Sequence, residues 1–200
     1  MVESIQSSRL SLVSMDVPML EVLLAGDCDT AARLLECSIP DGSLPKKSLL
    51  LRRLKQLCED EGVRPWLLRA MIDRTSRRMV GHIGFHSTPG QEHLAEMAPN
   101  GVELGYTVFE PFRRQRYATE AAIAMMRWAY TEHNQRCFVL SISPENRPST
   151  AMAKMLGFTE RGSMMDEEDG LETYFVRRLD GWPTEWDVCR NDGDVSTGSA

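Results

Sequence analysis

The run from residue 102 to residue 143 constrains the fold more than any other part of this chain. Val102–Phe109 reads as a strand. Residues 115–132 carry Ala118, Ala121, Ala122, Met125, Trp128 and Ala129 on one helical face, and residues 136–143 alternate again through Phe138, Leu140 and Ile142. A helix between two strands is a crossover unit, and it lays those strands parallel in one sheet. The turn at 110–116 then lies beyond the carboxyl end of a parallel strand, where open α/β sheets place their ligands.

The flanking sequence adds strands and helices to that unit. Residues 8–13 alternate polar and apolar as a short strand. Asp16 is placed to cap a helix with Pro18 in its first turn and Leu20, Leu23 and Leu24 inward. Asp27 or Asp29 caps a second short helix through Ala31, Leu34 and Leu35, and residues 46–60 form a third with Leu50, Leu54, Leu57 and Cys58 on one face. Residues 66–72 and 79–86 read as a hairpin, and 88–100 as a loop. A helix follows over 148–156, with Met152, Met155 and Leu156 inward. Two last strands, at 158–165 and 171–179, are joined by the acidic turn 166–170. These elements predict one α/β domain over residues 8–179, a mixed central sheet with helices on both faces. From residue 182 the chain turns polar and then Gly/Ser-rich, which predicts a flexible C-terminal tail over 182–200.

Composition narrows the function classes. With 42% hydrophobic and 26% charged residues the chain is ordinary for a globular protein. Its 23 basic and 29 acidic side chains leave a net charge of −6, the wrong sign for a general nucleic-acid binder. No apolar run reaches the ~18 residues of a membrane span, and the N-terminus has no secretory pattern. Neither nucleic acid nor membrane is therefore an expected partner. Cys28, Cys37, Cys58, Cys137 and Cys189 are odd in number and contain no Cys-x-x-Cys pair, so free thiols in a reduced, cytoplasmic protein are expected. His82, His86, His93 and His133 show no metal-ligand spacing, and no metal is expected. His86 ends an apolar strand, so it either faces a cleft or is satisfied structure. A homodimer is the default for a soluble homo-oligomer.

The turn at 110–116 holds Arg113, Arg114 and Arg116, three cations within four positions on an acidic chain. They precede the N-terminus of the longest helix, where unpaired N–H groups and the helix dipole favour a phosphate. The plainer alternative is a solvated basic turn, or a set of partners for the acidic loop.

Here the sequence resembles a known family. Glu103-Leu104-Gly105-Tyr106, Pro111 and the run Arg113-Arg114-Gln115-Arg116-Tyr117-Ala118-Thr119-Glu120-Ala121 are similar to the acetyl-CoA segment of the GNAT N-acetyltransferases. Asn146-Arg147-Pro148-Ser149 and Leu156-Gly157-Phe158 resemble that family's next block. With Arg9-Leu10-Ser11-Leu12, they resemble the branch that includes the ribosomal-protein N-terminal (alanine/serine) acetyltransferases. The resemblance implies a single-domain GNAT-like fold over residues 8–179 and transfer of acetyl from acetyl-CoA, the co-substrate, to a primary amine by direct attack in a ternary complex. A non-catalytic acyl-CoA-binding protein acting through a partner is the alternative.

The resemblance also implies roles. Residues Arg114, Gln115, Arg116, Tyr117, Ala118 and Thr119 would cradle the pyrophosphate beside Arg113, and the backbone of Thr107, Val108 and Phe109 would pair with the pantetheine arm. Arg116 stands where the family's phosphate turn has glycine. The expectation is that a helical backbone there accommodates the arginine, whereas a positive φ would strain the turn and weaken coenzyme A binding. Glu103 is the candidate base, its alternative an exposed strand carboxylate or ion-pair partner. The family's usual tyrosine acid falls at Ala153. Ser149 is instead the candidate group at the CoA sulfur and Asn146 the holder of the pantetheine, although Ser149 also suits a first-turn helix cap. Tyr174 is a remoter acid, and Glu120 complements the helix dipole. The acceptor, a small molecule or a protein N-terminus, is expected between the 16–60 helices and the acidic turn, which favours a cationic amine.

Overall fold

The structure, a computed structural model, describes residues 2–166 and 170–187. Its strands are β1 (Ile5–Gln6), β2 (Leu10–Ser14), β3 (Arg69–Asp73), β4 (Arg78–Phe85), β5 (Val102–Val108), β6 (Cys137–Ile142), β7 (Thr159–Asp166) and β8 (Gly170–Arg178). The helices are α1 (Val17–Leu24), α2 (Cys28–Leu34), α3 (Lys47–Glu59), α4 (Tyr117–His133) and α5 (Arg147–Met155). All eight strands form one mixed sheet in the order β1-β2-β3-β4-β5-β6-β8-β7. The single parallel seam is β5 against β6, on either side of α4, and the other pairings are antiparallel.

Helices cover both faces, as the pattern predicts. Ala121, Ala122, Met125, Met126 and Ala129 of α4 pack on Ile83, Phe85, Val102, Leu104 and Phe138. On the opposite face Met19, Leu20, Leu23, Leu50 and Leu57 of α1 and α3 pack on Ala70, Ile72 and Met79. Asp16 caps α1 and Asp27 caps α2, each side chain accepting the N–H three residues on.

The differences from the sequence reading have physical causes. The first hairpin strand begins at Arg69 rather than residue 66: Trp66, Leu67 and Leu68 are buried in a turn before it, so burial gave an apolar run without strand pairing. β1 was not expected; it is two residues long and carries no periodic signal. Arg69 is fully buried, with its guanidinium donating to the carbonyls of Glu3, Leu12 and Pro65 at 3.0, 3.2 and 2.9 Å. Three main-chain segments are thereby tied by one cation.

The expected tail is packed at its start. Thr184–Trp186 make one 3-10 turn, Trp186 is 5% exposed in the core beneath α4, and Asp187 pairs with Arg127 at 2.7 Å. Residues 188–200, and the centre of the acidic turn at 167–169, lie outside the described residues.

Candidate active site

Just past Glu103 the two parallel strands part. Val102 and Glu103 pair with Phe138 and Val139, after which β5 follows only β4, through to Val108. The edge of β5 that faces β6 is left without a strand partner. A cleft of about 760 Å³ opens there, walled by α3, the 86–103 loop, β8 and the start of α5. Glu103, Thr107, Phe109, Asn146 and Ser149, all singled out in the sequence, line it together.

Glu103 is 4% exposed at the apex of the split. His86 Nδ1 lies 3.3 Å from its Oε1, His93 Nε2 lies 3.2 Å from its Oε2, and the Ser141 hydroxyl donates to Oε1. Burial alone would raise the carboxyl pKa. Hydrogen bonding and charge from His86, then the bonds from Ser141 and His93, outweigh it and hold the carboxyl at about 2. Glu103 is therefore a buried anion with both oxygens engaged; it is not the exposed strand carboxylate, and its contacts with His86 and His93 are those of the ion-pair alternative.

His86 follows β4 directly. Its N–H donates to the Glu103 carbonyl at 2.8 Å, and its own carbonyl accepts from Arg53 Nη1 at 2.7 Å and Gln56 Nε2 at 2.9 Å. Arg53 is 3% exposed and depressed to about 10, first by burial and then by Arg52, with the Glu103 charge opposing. Gly105 makes room for the ring: a Cβ on Gly105 would stand 2.5 Å from His86 Nε2. Farther along β4, buried His82 is pushed down to about 4 by desolvation and by Arg53, and is neutral at pH 7.

On the opposite lip the Tyr106 hydroxyl donates to Ser149 Oγ at 3.0 Å. The cap of α5 is Asn146, whose Oδ1 accepts the Ser149 N–H at 3.2 Å. The Ser149 hydroxyl is thus not the cap; it faces Tyr106 in the cleft. Ala153 is fully buried in the main core, and its methyl does not line the cleft. Tyr174, 6% exposed, lines the cleft, with its hydroxyl 4.0 Å from Met164 Sδ.

The turn after β5 corrects one expectation. Arg116 is not helical: its φ is 62° and ψ 12°, and Arg114 also has a positive φ, 61°. Two arginines hold the left-handed backbone that glycine adopts without steric cost, and α4 starts at Tyr117 rather than residue 115 for this reason. The N–H groups of Arg114, Gln115 and Arg116 make no hydrogen bond to the described residues, and Arg113–Arg116 are exposed. Free amides in a row at a helix start are able to take an anion. The turn is pinned from behind. Arg9 donates to the Gln115 carbonyl at 2.9 Å and pairs with Glu120 at 2.7 Å, and Tyr117, 8% exposed, donates to Asp73 Oδ2 at 3.0 Å. Arg113 Nε reaches the Val108 carbonyl at 3.3 Å. Ala118 and Thr119 are half-buried in the first turn of α4.

A mixed sheet split along its parallel seam, with unbonded amides in the turn that follows β5, agrees with an α/β domain of the acetyltransferase class. The chain belongs to the GNAT family: the profile described as Acetyltransferase (GNAT) domain matches residues 35–159. Over 93 residues it is 33% identical to an uncharacterized N-acetyltransferase, YnaD, of Bacillus subtilis (strain 168). That match spans 46% of this chain and about half, 49%, of the relative.

Solved structures share the fold. A GNAT-family acetyltransferase from Bordetella pertussis superposes with a TM-score of 0.62 at 16% identity, covering 88% of this chain and 99% of that one. A ribosomal-protein-serine acetyltransferase from Vibrio cholerae gives 0.57 at 17% identity, covering 88% and 97%. RimL, a ribosomal L7/L12 alpha-N-protein acetyltransferase solved in complex with coenzyme A, gives 0.59 at 19% identity, covering 89% and 99%. At these identities the likeness is one of fold.

Three site residues carried little or no sequence signal. Tyr106 alternates to the face opposite Glu103, and only the split brings it to Ser149. His93 lies in a loop, on the 3-10 turn Glu92–Leu94, and Arg53 looks like a surface position of an amphipathic helix. Among the described residues no helix is long and apolar enough to cross a membrane, and no cluster of His, Cys, Asp and Glu is arranged to hold a metal.

Proposed function

We propose that this protein is an acetyl-CoA-dependent N-acetyltransferase that moves acetyl to a primary amine by direct attack in a ternary complex, in the cytoplasm. The observation that carries the reading is the cleft opened by the parting of β5 and β6; the unbonded amides of residues 114–116, in the turn that follows β5, support it. The free edge of β5 at Thr107, Val108 and Phe109 suits the amide-bearing pantetheine arm. The turn from Arg113 to Thr119 suits a pyrophosphate, through main-chain N–H groups and exposed guanidiniums.

Bound there, acetyl-CoA supplies the activated acetyl group. This chain's own residues then have two tasks. The Glu103 centre takes the proton that an ammonium must lose before its nitrogen can attack. Ser149, with Tyr106 donating to it, offers its hydroxyl hydrogen to the departing sulfur, and Asn146 steadies the arm beside it. A serine hydroxyl is a weak acid, so its contribution is a hydrogen bond to the thiolate rather than complete proton transfer. Holding both reactants in one cleft supplies several kcal/mol of the barrier reduction, an order-of-magnitude figure.

The test is calorimetry with acetyl-CoA together with free-thiol release over spermidine, kanamycin and short peptides beginning with alanine or serine. Saturable binding with turnover of at least one amine is the expected result. Binding with no turnover across the panel would leave a non-catalytic acyl-CoA binder. No binding would remove both.

A further inference from the structure

We infer that the atom that takes the amine proton is His86 Nε2, and that Glu103 is the positioning residue that holds the ring. The inference rests on the transfer reading above and assigns its base.

The Glu103 oxygens already meet His86, His93 and Ser141, and the carboxylate is nearly closed to solvent. Oε1 meets two of these groups and Oε2 one, and the acceptor site left on Oε2 belongs to a carboxylate only 4% exposed, so an approaching ammonium has little access to it. The imidazole, by contrast, has one nitrogen toward the carboxylate and the other against Gly105, and both His86 and Gly105 line the cleft. Nδ1 stands 3.3 Å from Glu103 Oε1, so a ring proton on Nδ1 would be favoured by the carboxylate and would leave Nε2 with its lone pair. Nε2 lies over the Cα of Gly105, two residues beyond the apex, and the His86 side chain is 35% exposed. His86 is also held at its backbone, its carbonyl taken by Arg53 and Gln56 of α3. An oriented imidazole, backed by a buried carboxylate and open on one side to a cleft, is the arrangement a general base needs. His93 meets the other carboxylate oxygen from a loop, without such a clamp.

The proton balance is simple. The proton lost by the ammonium before attack passes to His86 Nε2 and on to water. The nitrogen then bonds to the thioester carbonyl carbon, the C–S bond breaks with its electron pair on sulfur, and the second proton lost by nitrogen goes to that thiolate. The charged and titratable groups that share the cleft with the ring are Glu103 and Tyr106 of β5, His93 of the loop, His82 of β4, Lys46 before α3, Arg52 and Arg53 of α3, and Glu172 and Tyr174 of β8.

Two measurements on the full chain test this. Side-chain NMR of the imidazole nitrogens, with coenzyme A bound, is expected to show His86 protonated on Nδ1 at neutral pH and to lose that preference in Glu103→Gln. Kinetics with an amine from the thiol-release panel are expected to show a ~100-fold or larger drop in kcat for His86→Gln. The acidic limb of the kcat/KM profile should vanish, with coenzyme A affinity retained. Gly105→Ala keeps every charged group but drives a methyl into Nε2. It should lower kcat at least ~10-fold while binding coenzyme A, which guards against a misfolded His86 variant. If His86→Gln keeps the limb and His93→Gln removes it, His93 is the base and the inference is overturned. His86→Gln with wild-type kcat, or His86 protonated on Nε2, overturns it too. If the wild type binds coenzyme A and turns over no amine, the transfer reading itself fails, an outcome distinct from all of these.

Discussion

Tyr106 donates its hydroxyl hydrogen to Ser149 Oγ across 3.0 Å, so a residue of β5 and a residue in the first turn of α5 meet over the mouth of the split sheet. Burial raises the Tyr106 hydroxyl above its usual pKa, with the Ser149 bond opposing, so the phenol stays a donor at neutral pH. The Ser149 hydroxyl then has its own hydrogen free to point into the cleft.

Removing either end of that pair should slow the departure of sulfur. Ser149→Ala is expected to lower kcat ~10- to 100-fold with little change in coenzyme A affinity. Tyr106→Phe should cost less, roughly 3- to 10-fold, because the serine remains. The check is steady-state kinetics with one amine and calorimetric titration of coenzyme A into each variant. A Ser149→Ala enzyme with full kcat would leave this hydroxyl a packing detail.

The two left-handed arginines invite a simple substitution. Arg116 holds φ 62° with a side chain that glycine would not carry. Arg116→Gly should raise unfolding stability by up to about 1 kcal/mol and change coenzyme A affinity by less than ~10-fold, about 1.4 kcal/mol. Urea unfolding and calorimetry read the two quantities separately. A much larger gain in affinity would mean that the natural side chain blocks the turn.

Glu120 does more than complement a helix dipole. It accepts from the Ser7 hydroxyl, the Arg9 N–H and the Arg9 guanidinium, at 2.7, 2.6 and 2.7 Å. Glu120→Ala should destabilise the protein by about 1–3 kcal/mol, the range for hydrogen bonds to a charged group. It should also weaken coenzyme A binding, because Arg9 would no longer steady the Gln115 carbonyl. Thermal unfolding and calorimetry on the variant test both effects.

His82 sets a pH dependence of stability. Its folded pKa is lowered from 6.5 to about 4, chiefly by burial and then by Arg53. Below pH 6.5 the unfolded chain takes up a proton that the folded chain refuses, so stability falls from that pH down to about 4 and this contribution is then exhausted. The full loss is on the order of 3 kcal/mol. Urea unfolding at several pH values should show His82→Gln losing less than wild type across that window. Glu103 and the surface carboxylates act on both proteins, so the difference isolates His82.

Much of this was legible in the chain. The alanine stripe of α4 and the alternating strands beside it fixed the crossover, because periodicity survives any tertiary context. Asp16 marked one helix start, and Asp27 or Asp29 a second that the structure gives to Asp27, because capping is local. The site was legible only in part. Glu103 and Ser149 stood out, but whether a strand carboxylate faces water or two imidazoles depends on what the 86–103 loop brings over it, and no local pattern records that. The conformation of Arg116 was likewise hidden: a left-handed turn usually advertises itself with glycine, and here arginine holds it. Trp66–Leu68 misled for the opposite reason, being apolar because buried rather than because paired.

Because only Val102 and Glu103 of β5 reach across to β6, the halves of the sheet share a short pivot, and Glu103 and Ser141, one from each half, meet beside it. Any rocking of one half against the other moves that hydrogen-bonded pair least. Tyr106 and Ser149, farther out, would be drawn apart first. The anion is thus sited at the fulcrum and the hydroxyl donor toward the tips of the blades, so loosening of the clasp would be felt at sulfur before it was felt at nitrogen.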